Sequence, residues 1–163
     1  MNLEEKVVSL LTEKKLKVAL AESCTGGLLA KKITDVDGAS KVFECGVVCY
    51  SDRVKRYLVG VRSETLERFT AVSVKTAKEM ADGIRQNAGA DIGVGITGYA
   101  SPVAGLPDDR KVIIVAVADM DSITVESFRP NLTGQPGARA LNRERAAELA
   151  LQMITEKIEE RTK

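Results

Sequence analysis

The sequence predicts an α/β fold, a single-domain three-layer α/β/α sandwich over residues 1–163 with a mixed sheet of about five or six strands. Short runs rich in Val, Ile and aromatics alternate with stretches of helical periodicity, the pattern of strand–helix–strand units. The alternation then stops, and two strand-like runs follow one another around Asp119-Met120-Asp121, so part of the sheet is antiparallel. No linker, repeat or low-complexity stretch divides the chain.

Leu3, Val7, Leu10 and Leu11 recur at helical spacing among Glu and Lys, which makes the first fifteen residues or so an amphipathic helix. Lys17 to Ala21 is a short strand. The polar turn Glu22-Ser23-Cys24-Thr25-Gly26-Gly27 follows, and Leu28, Leu29, Lys32 and Ile33 open a second helix that ends at Asp35-Val36-Asp37-Gly38. Phe43 to Tyr50 reads as the second strand. Ser51 to Leu58 and Ser63 to Glu67 read as short helices, and Ser73 caps a longer one that carries Val74, Ala77, Met80, Ala81 and Ile84 and closes at Asn87 and Gly89. Asp91 to Thr97 is a third strand. Gly98, Pro102, Gly105 and Pro107 make residues 98–110 a loop. Lys111 to Ala118 and Ser122 to Arg129 pair as a hairpin, Pro130 to Gly137 is a second loop, and from about Ala138 one last helix presents Ala146, Leu149, Ala150, Met153, Ile154 and Ile158 on one face.

Composition narrows the chemistry. With 44% hydrophobic and 29% charged residues the chain is an ordinary globular domain with a real core. Its 24 Lys+Arg against 23 Asp+Glu create no broad field for a polyanion, so nucleic acid is not an expected partner. Three cysteines cannot all pair, and the first residues carry no charged segment followed by an apolar one, so a reduced cytoplasmic setting is expected. No apolar run approaches the ~20 residues that span a bilayer, and no membrane partner is expected. The chain has no histidine, which excludes Ser-His-Asp and Cys-His couples and imidazole metal ligands. Proton transfer falls to Lys, Tyr, Asp, Glu or Cys.

Several patterns have structural explanations. Gly93-Val94-Gly95-Ile96-Thr97-Gly98 spells the GxGxxG fingerprint, but its glycines lie inside a strand instead of opening a helix, so close packing accounts for them. Cys45 and Cys49 share a strand face as small apolar residues, and no metal site is expected. The acidic pairs Asp35/Asp37, Asp108/Asp109 and Asp119/Asp121 fall in turns. Cys24 lies in a turn that would stabilise a thiolate, yet no imidazole can serve as its base. Ser23 stands where a strand ends and a helix starts. It is either a simple helix cap or a nucleophile beside an anion site formed by the amides of Cys24, Thr25, Gly26 and Gly27. Its base would be a lysine of depressed pKa, or a tyrosine relaying to one.

Ala21-Glu22-Ser23-Cys24-Thr25-Gly26-Gly27 matches the AESCTGG signature of the CinA C-terminal domain family. The similarity continues through Gly38-x-Ser40-x-x-Phe43-x-x-Gly46-x-Val48-x-Tyr50-Ser51, Lys55-x-x-Leu58-x-Gly60-Val61, Thr97-Gly98 and Gly137-x-Arg139 with Arg143. The resemblance implies an amidohydrolase that deamidates nicotinamide mononucleotide, or a related pyridine nucleotide, to the acid and ammonia in pyridine-nucleotide recycling. It implies Ser23 as nucleophile with Lys55 and Tyr50 assisting, and Thr25, Gly26, Gly27, Thr97 and Gly98 beside the substrate. Arg139 is the implied cation for its phosphate, and Arg143 either joins it or faces solvent. No cofactor is implied, and a homodimer or higher homo-oligomer is. The chain also departs from the pattern: the glycine loop TGIAGPGGG is here Thr97-Gly98-Tyr99-Ala100-Ser101-Pro102-Val103-Ala104-Gly105, with Asp52 for Asn and Ala138 for Asp elsewhere. Either the substrate differs, or turnover is lost and a nucleotide-binding or interaction module remains.

Overall fold

In the computed structural model, which describes residues 1–161, five strands form one mixed sheet. They are β1 (Val18–Glu22), β2 (Phe43–Val48), β3 (Ile92–Gly98), β4 (Ile113–Ala118) and β5 (Ile123–Phe128). The order is β2-β1-β3-β4-β5, with β1 parallel to both β2 and β3, and with β4 antiparallel to β3 and β5. The helices are α1 (Leu3–Lys14), α2 (Leu28–Thr34), α3 (Asp52–Val59), α4 (Ser63–Phe69), α5 (Val74–Ala88) and α6 (Ala138–Glu160). This is the three-layer sandwich that the alternation of patterns indicates.

The two faces of the sheet differ in side-chain size. Val18 and Leu20 of β1, Ile92, Val94 and Ile96 of β3, and Ile113, Val115 and Val117 of β4 pack with α1, α2 and α6 through Leu11, Leu29, Ile33, Leu151 and Ile154. The opposite face presents Ala19, Ala21, Ala116 and Ala118 to Ala77, Met80, Ala81 and Ile84 of α5. Between them lie the glycines of β3. A Cβ at Gly93 would stand 2.1 Å from the Ala81 carbonyl oxygen, and one at Gly95 2.4 Å from that of Ala77. The fingerprint-like glycines therefore let a helix lie almost on the strand, which confirms their packing role. Gly83 of α5 repeats the device, because a Cβ there would fall 1.8 Å from the Val59 carbonyl at the end of α3.

Local signals set most boundaries. Asn2 and Glu5 form a capping box on α1, Ser51 Oγ accepts from the Val54 amide at the start of α3, and Ser73 Oγ accepts from Thr76 at the start of α5. β2 ends at Val48 instead of Tyr50, since the chain turns at Tyr50 to enter the Ser51 cap. β4 begins at Ile113 instead of Lys111, because Asp108–Arg110 close a 3₁₀ turn just before it. No helix among the described residues is long and apolar enough to cross a membrane.

Gly95→Ala tests the close approach. The added methyl displaces α5, and a loss of about 1–3 kcal/mol in urea-measured stability is expected, with the far-ultraviolet circular dichroism spectrum unchanged.

Candidate active site

The chain leaves β1 for α2 on one face of the sheet and leaves β2 for α3 toward the other, so a crevice opens at the carboxyl ends of β1, β2 and β3. Ser23, the first residue beyond β1, stands in it, its amide bonded to the Ile96 carbonyl at 3.1 Å. The turn after it depends on positive φ at Gly26 (59°) and Gly27 (95°). Glu22 ends β1 with its side chain buried, and its carboxylate accepts from the Leu29 amide at 2.9 Å and the Ala30 amide at 3.0 Å. This narrows the expected anion site at the helix start: the Leu29 and Ala30 amides of α2 belong to Glu22, and the Gly26 amide bonds back to the Ser23 carbonyl.

α3 delivers the lysine. Ser51 caps it, and four residues on Lys55 points inward at 1% exposure. Its Nζ lies 3.0 Å from Ser23 Oγ, 2.9 Å from the Cys49 carbonyl and 2.9 Å from the Tyr50 carbonyl. Burial pushes the Lys55 pKa below its ordinary value. A neutral amine has two hydrogens and one lone pair. With the hydrogens on the two carbonyls, the lone pair faces the Ser23 hydroxyl, the arrangement of a base beside its nucleophile.

A cleft of about 300 Å³ lies over this pair, with Thr97, Gly98, the 99–103 segment and Arg139 as walls. Thr97 Oγ1 donates to the Ala71 carbonyl at 2.7 Å, which fixes its rotamer. Gly98 is needed because a Cβ would sit 2.6 Å from Ile113 Cα. Arg139 donates through Nη1 to Ser101 Oγ at 2.9 Å and through Nη2 to Tyr50 Oη at 3.1 Å. Tyr50 itself is 58% exposed; its carbonyl holds Lys55 while its phenol stands at the rim with Arg139. The structure thus brings together Ser23, Lys55, Tyr50, Thr97, Gly98 and Arg139. Thr25, Gly26 and Gly27 do not line the cleft and instead shape the turn behind the serine, Thr25 being wholly buried.

Cys24 does line the cleft, but burial raises its thiol to about 11. It is a protonated thiol at neutral pH and no rival to Ser23 as nucleophile. Cys45 and Cys49 are free and pack in one apolar cluster. Among the described residues no group of three or more Cys, Asp or Glu is placed to hold a metal.

Three supports have roles that their residue types do not announce, although Glu22 and Arg143 lie within matched motifs. Glu22 caps α2 from the residue before the serine. Arg143 does not face solvent; it donates to the Cys24 carbonyl at 3.1 Å and the Thr25 carbonyl at 2.9 Å, clamping the serine turn to α6. Asn142, one residue before it and buried, donates to the Ala100 carbonyl at 3.0 Å and the Asn131 carbonyl at 2.8 Å, pinning both loops beside the cleft.

The family model for the CinA C-terminal domain matches residues 1–158. The chain belongs to the CinA C-terminal domain family. It is 58% identical over 106 residues to a putative competence-damage inducible protein of Thermoanaerobacter sp. strain X514, covering 65% of this chain and 26% of that one. With a CinA-like protein of Chlorobium limicola it shares 45% identity over 150 residues, covering 91% and 35%. The chain thus spans about a quarter to a third of the length of these curated relatives. The crystal structure of a CinA superfamily protein from Klebsiella pneumoniae superposes with a TM-score of 0.86 at 32% identity, covering 97% of this chain and 96% of that one. The competence/damage inducible protein CihA from Agrobacterium tumefaciens superposes with a TM-score of 0.86 at 33% identity, covering 93% and 91%. In this CinA domain the altered loop is ordered by its own contacts, Ser101 to Arg139 and Ala100 to Asn142.

The raised thiol pKa makes Cys24 slow to alkylate. At pH 8 about one thiol in a thousand is ionised if the value is about 11. Iodoacetamide labelling read by peptide mass spectrometry is expected to modify Cys24 far more slowly in the folded protein than after denaturation.

Proposed function

We propose that the domain is an amidohydrolase that converts the carboxamide of nicotinamide mononucleotide, or a closely related pyridine nucleotide, into the carboxylic acid and ammonia. The observation that carries this reading is the Lys55 amine, buried and 3.0 Å from Ser23 Oγ with two carbonyls as its other partners. An amide resists water, and a covalent acyl intermediate divides the barrier into two smaller ones. Ser23 Oγ attacks the carboxamide carbon while its proton passes to Lys55 Nζ. The tetrahedral adduct collapses, the C–N bond breaks, and Lys55 returns the proton to the leaving nitrogen as ammonia departs. Water then enters, gives a proton to Lys55, and attacks the ester carbon; Ser23 takes the proton back as the acid leaves.

The developing oxyanion needs donors at the serine turn. Among the described residues the Cys24 amide has no main-chain acceptor, and Cys24 borders the cleft. Arg139 supplies the positive charge for the phosphate, which the near-neutral chain as a whole does not. Family membership supports the reading, and so do the serine, lysine and cleft contacts that remain in place around the changed loop.

Ammonia release from nicotinamide mononucleotide tests it. Ser23→Ala and Lys55→Met are each expected to lower the rate by about a thousandfold or more with folding retained. Lys55 acts as base only when neutral, so kcat/KM is expected to rise with pH and level off at a midpoint below the ordinary lysine value of 10.5. A wild-type protein that releases no ammonia from pyridine nucleotides, under conditions where an active relative does, overturns the proposal.

A further inference from the structure

Arg139 stands exposed on the first turn of α6, yet its guanidinium is held at two points, by Ser101 Oγ at 2.9 Å and Tyr50 Oη at 3.1 Å. Among the described residues it has no carboxylate partner. Two of its five N–H donors are engaged, and three remain. Both hydroxyls accept from it through oxygen, so each keeps a hydrogen to donate, and neither gives that hydrogen to a protein acceptor among the described residues. An arginine, with a serine and a tyrosine bonded to it, therefore presents uncommitted donors on the wall of the cleft that Ser23 and Lys55 also line.

Ser101 is the distinctive member. It occupies a position where the family's loop pattern has glycine, and glycine would supply neither the second anchor for Arg139 nor the extra donor. Its main chain is held firmly, because Asn142 Nδ2 binds the preceding Ala100 carbonyl at 3.0 Å and Pro102 restricts the backbone from the other side. A phosphate monoester has the geometry to take a guanidinium fork together with hydroxyl donors. We infer that Ser101 is a specificity-determining residue of this chain: by anchoring Arg139 and donating beside it, Ser101 completes a phosphate subsite that separates phosphorylated from unphosphorylated pyridine nucleosides. The identity of the rest of the ligand rests on the amidase reading; the subsite does not.

The test compares wild type with Ser101→Gly, Ser101→Ala and Ser101→Thr on nicotinamide mononucleotide and on nicotinamide riboside, which lacks the phosphate. For the glycine and alanine variants, KM for the mononucleotide is expected to rise about fivefold to tenfold while kcat stays within about twofold, and KM for the riboside stays within about twofold. Threonine, which keeps the hydroxyl, restores discrimination. A loop that had merely changed shape would raise both KM values together, and that result, or no change in either, overturns the inference. If wild type releases no ammonia from either compound, the amidase reading fails and calorimetry decides the subsite: tighter binding of mononucleotide than riboside by wild type, lost in Ser101→Gly, upholds it. Equal binding of the two compounds, or binding of neither, overturns it.

Discussion

Everything in the cleft depends on a primary amine that has been taken out of water. Ionised, Lys55 would carry a desolvation cost of several kcal/mol, and the surrounding protein provides carbonyl dipoles and no carboxylate among its hydrogen-bond partners. That balance lowers the pKa while keeping the nitrogen fully hydrogen-bonded. The two carbonyls belong to Cys49 and Tyr50, where β2 gives way to α3, so the place at which the strand stops also sets where the amine points. A chain without histidine can still assemble a base for a serine, provided one short helix is anchored tightly enough to bury its lysine. The close packing of Gly83 against the end of α3 supplies that anchorage.

The second constraint is mechanical. Residues 139–143 of α6 reach three separate walls of the cleft: Arg139 meets Ser101 and Tyr50, Asn142 holds both neighbouring loops, and Arg143 clamps the serine turn. Helical periodicity makes this possible, since positions three and four apart emerge on one side. Gly26 is tied to the same contact, because a Cβ there would lie 3.1 Å from the Arg143 guanidinium. The Gly-Gly pair thus provides both positive φ and room for an arginine, and the Gly26 amide is spent on the Ser23 carbonyl.

The fold was largely legible because its signals are local and mutually consistent. Ser51 and Ser73 cap where capping residues belong, the prolines of the 98–110 segment exclude regular structure, and period-three-and-four apolar spacing marks α1, α5 and α6. Ser23 and Lys55 were legible as candidates through the family pattern, whereas the direction of side chains was not. Nothing in the residue type of Glu22 distinguishes a helix cap from an exposed charge, and Arg143 is recognisable as a clamp only once α6 is seen beside the serine turn. Tyr50 was expected to assist Lys55 as a relay or orienting group; its carbonyl accepts from Lys55 and its phenol oxygen from Arg139, and backbone carbonyls leave no trace in a sequence.

The clamp by Arg143 also bears on the order in which the molecule can be completed. Its two bonds join residues 119 and 118 apart in the chain, and Arg139 meets Tyr50 across 89. β1 itself gains one neighbour with β2 and its second only with β3, much later in the chain. Contacts of such long range close late, after the local helices. During synthesis the serine turn precedes the helix that braces it by most of the chain, and Lys55 does so by about half of it. Until α6 docks, the apolar sheet face it covers stays open, so acquisition of the finished site and protection of the core are a single event.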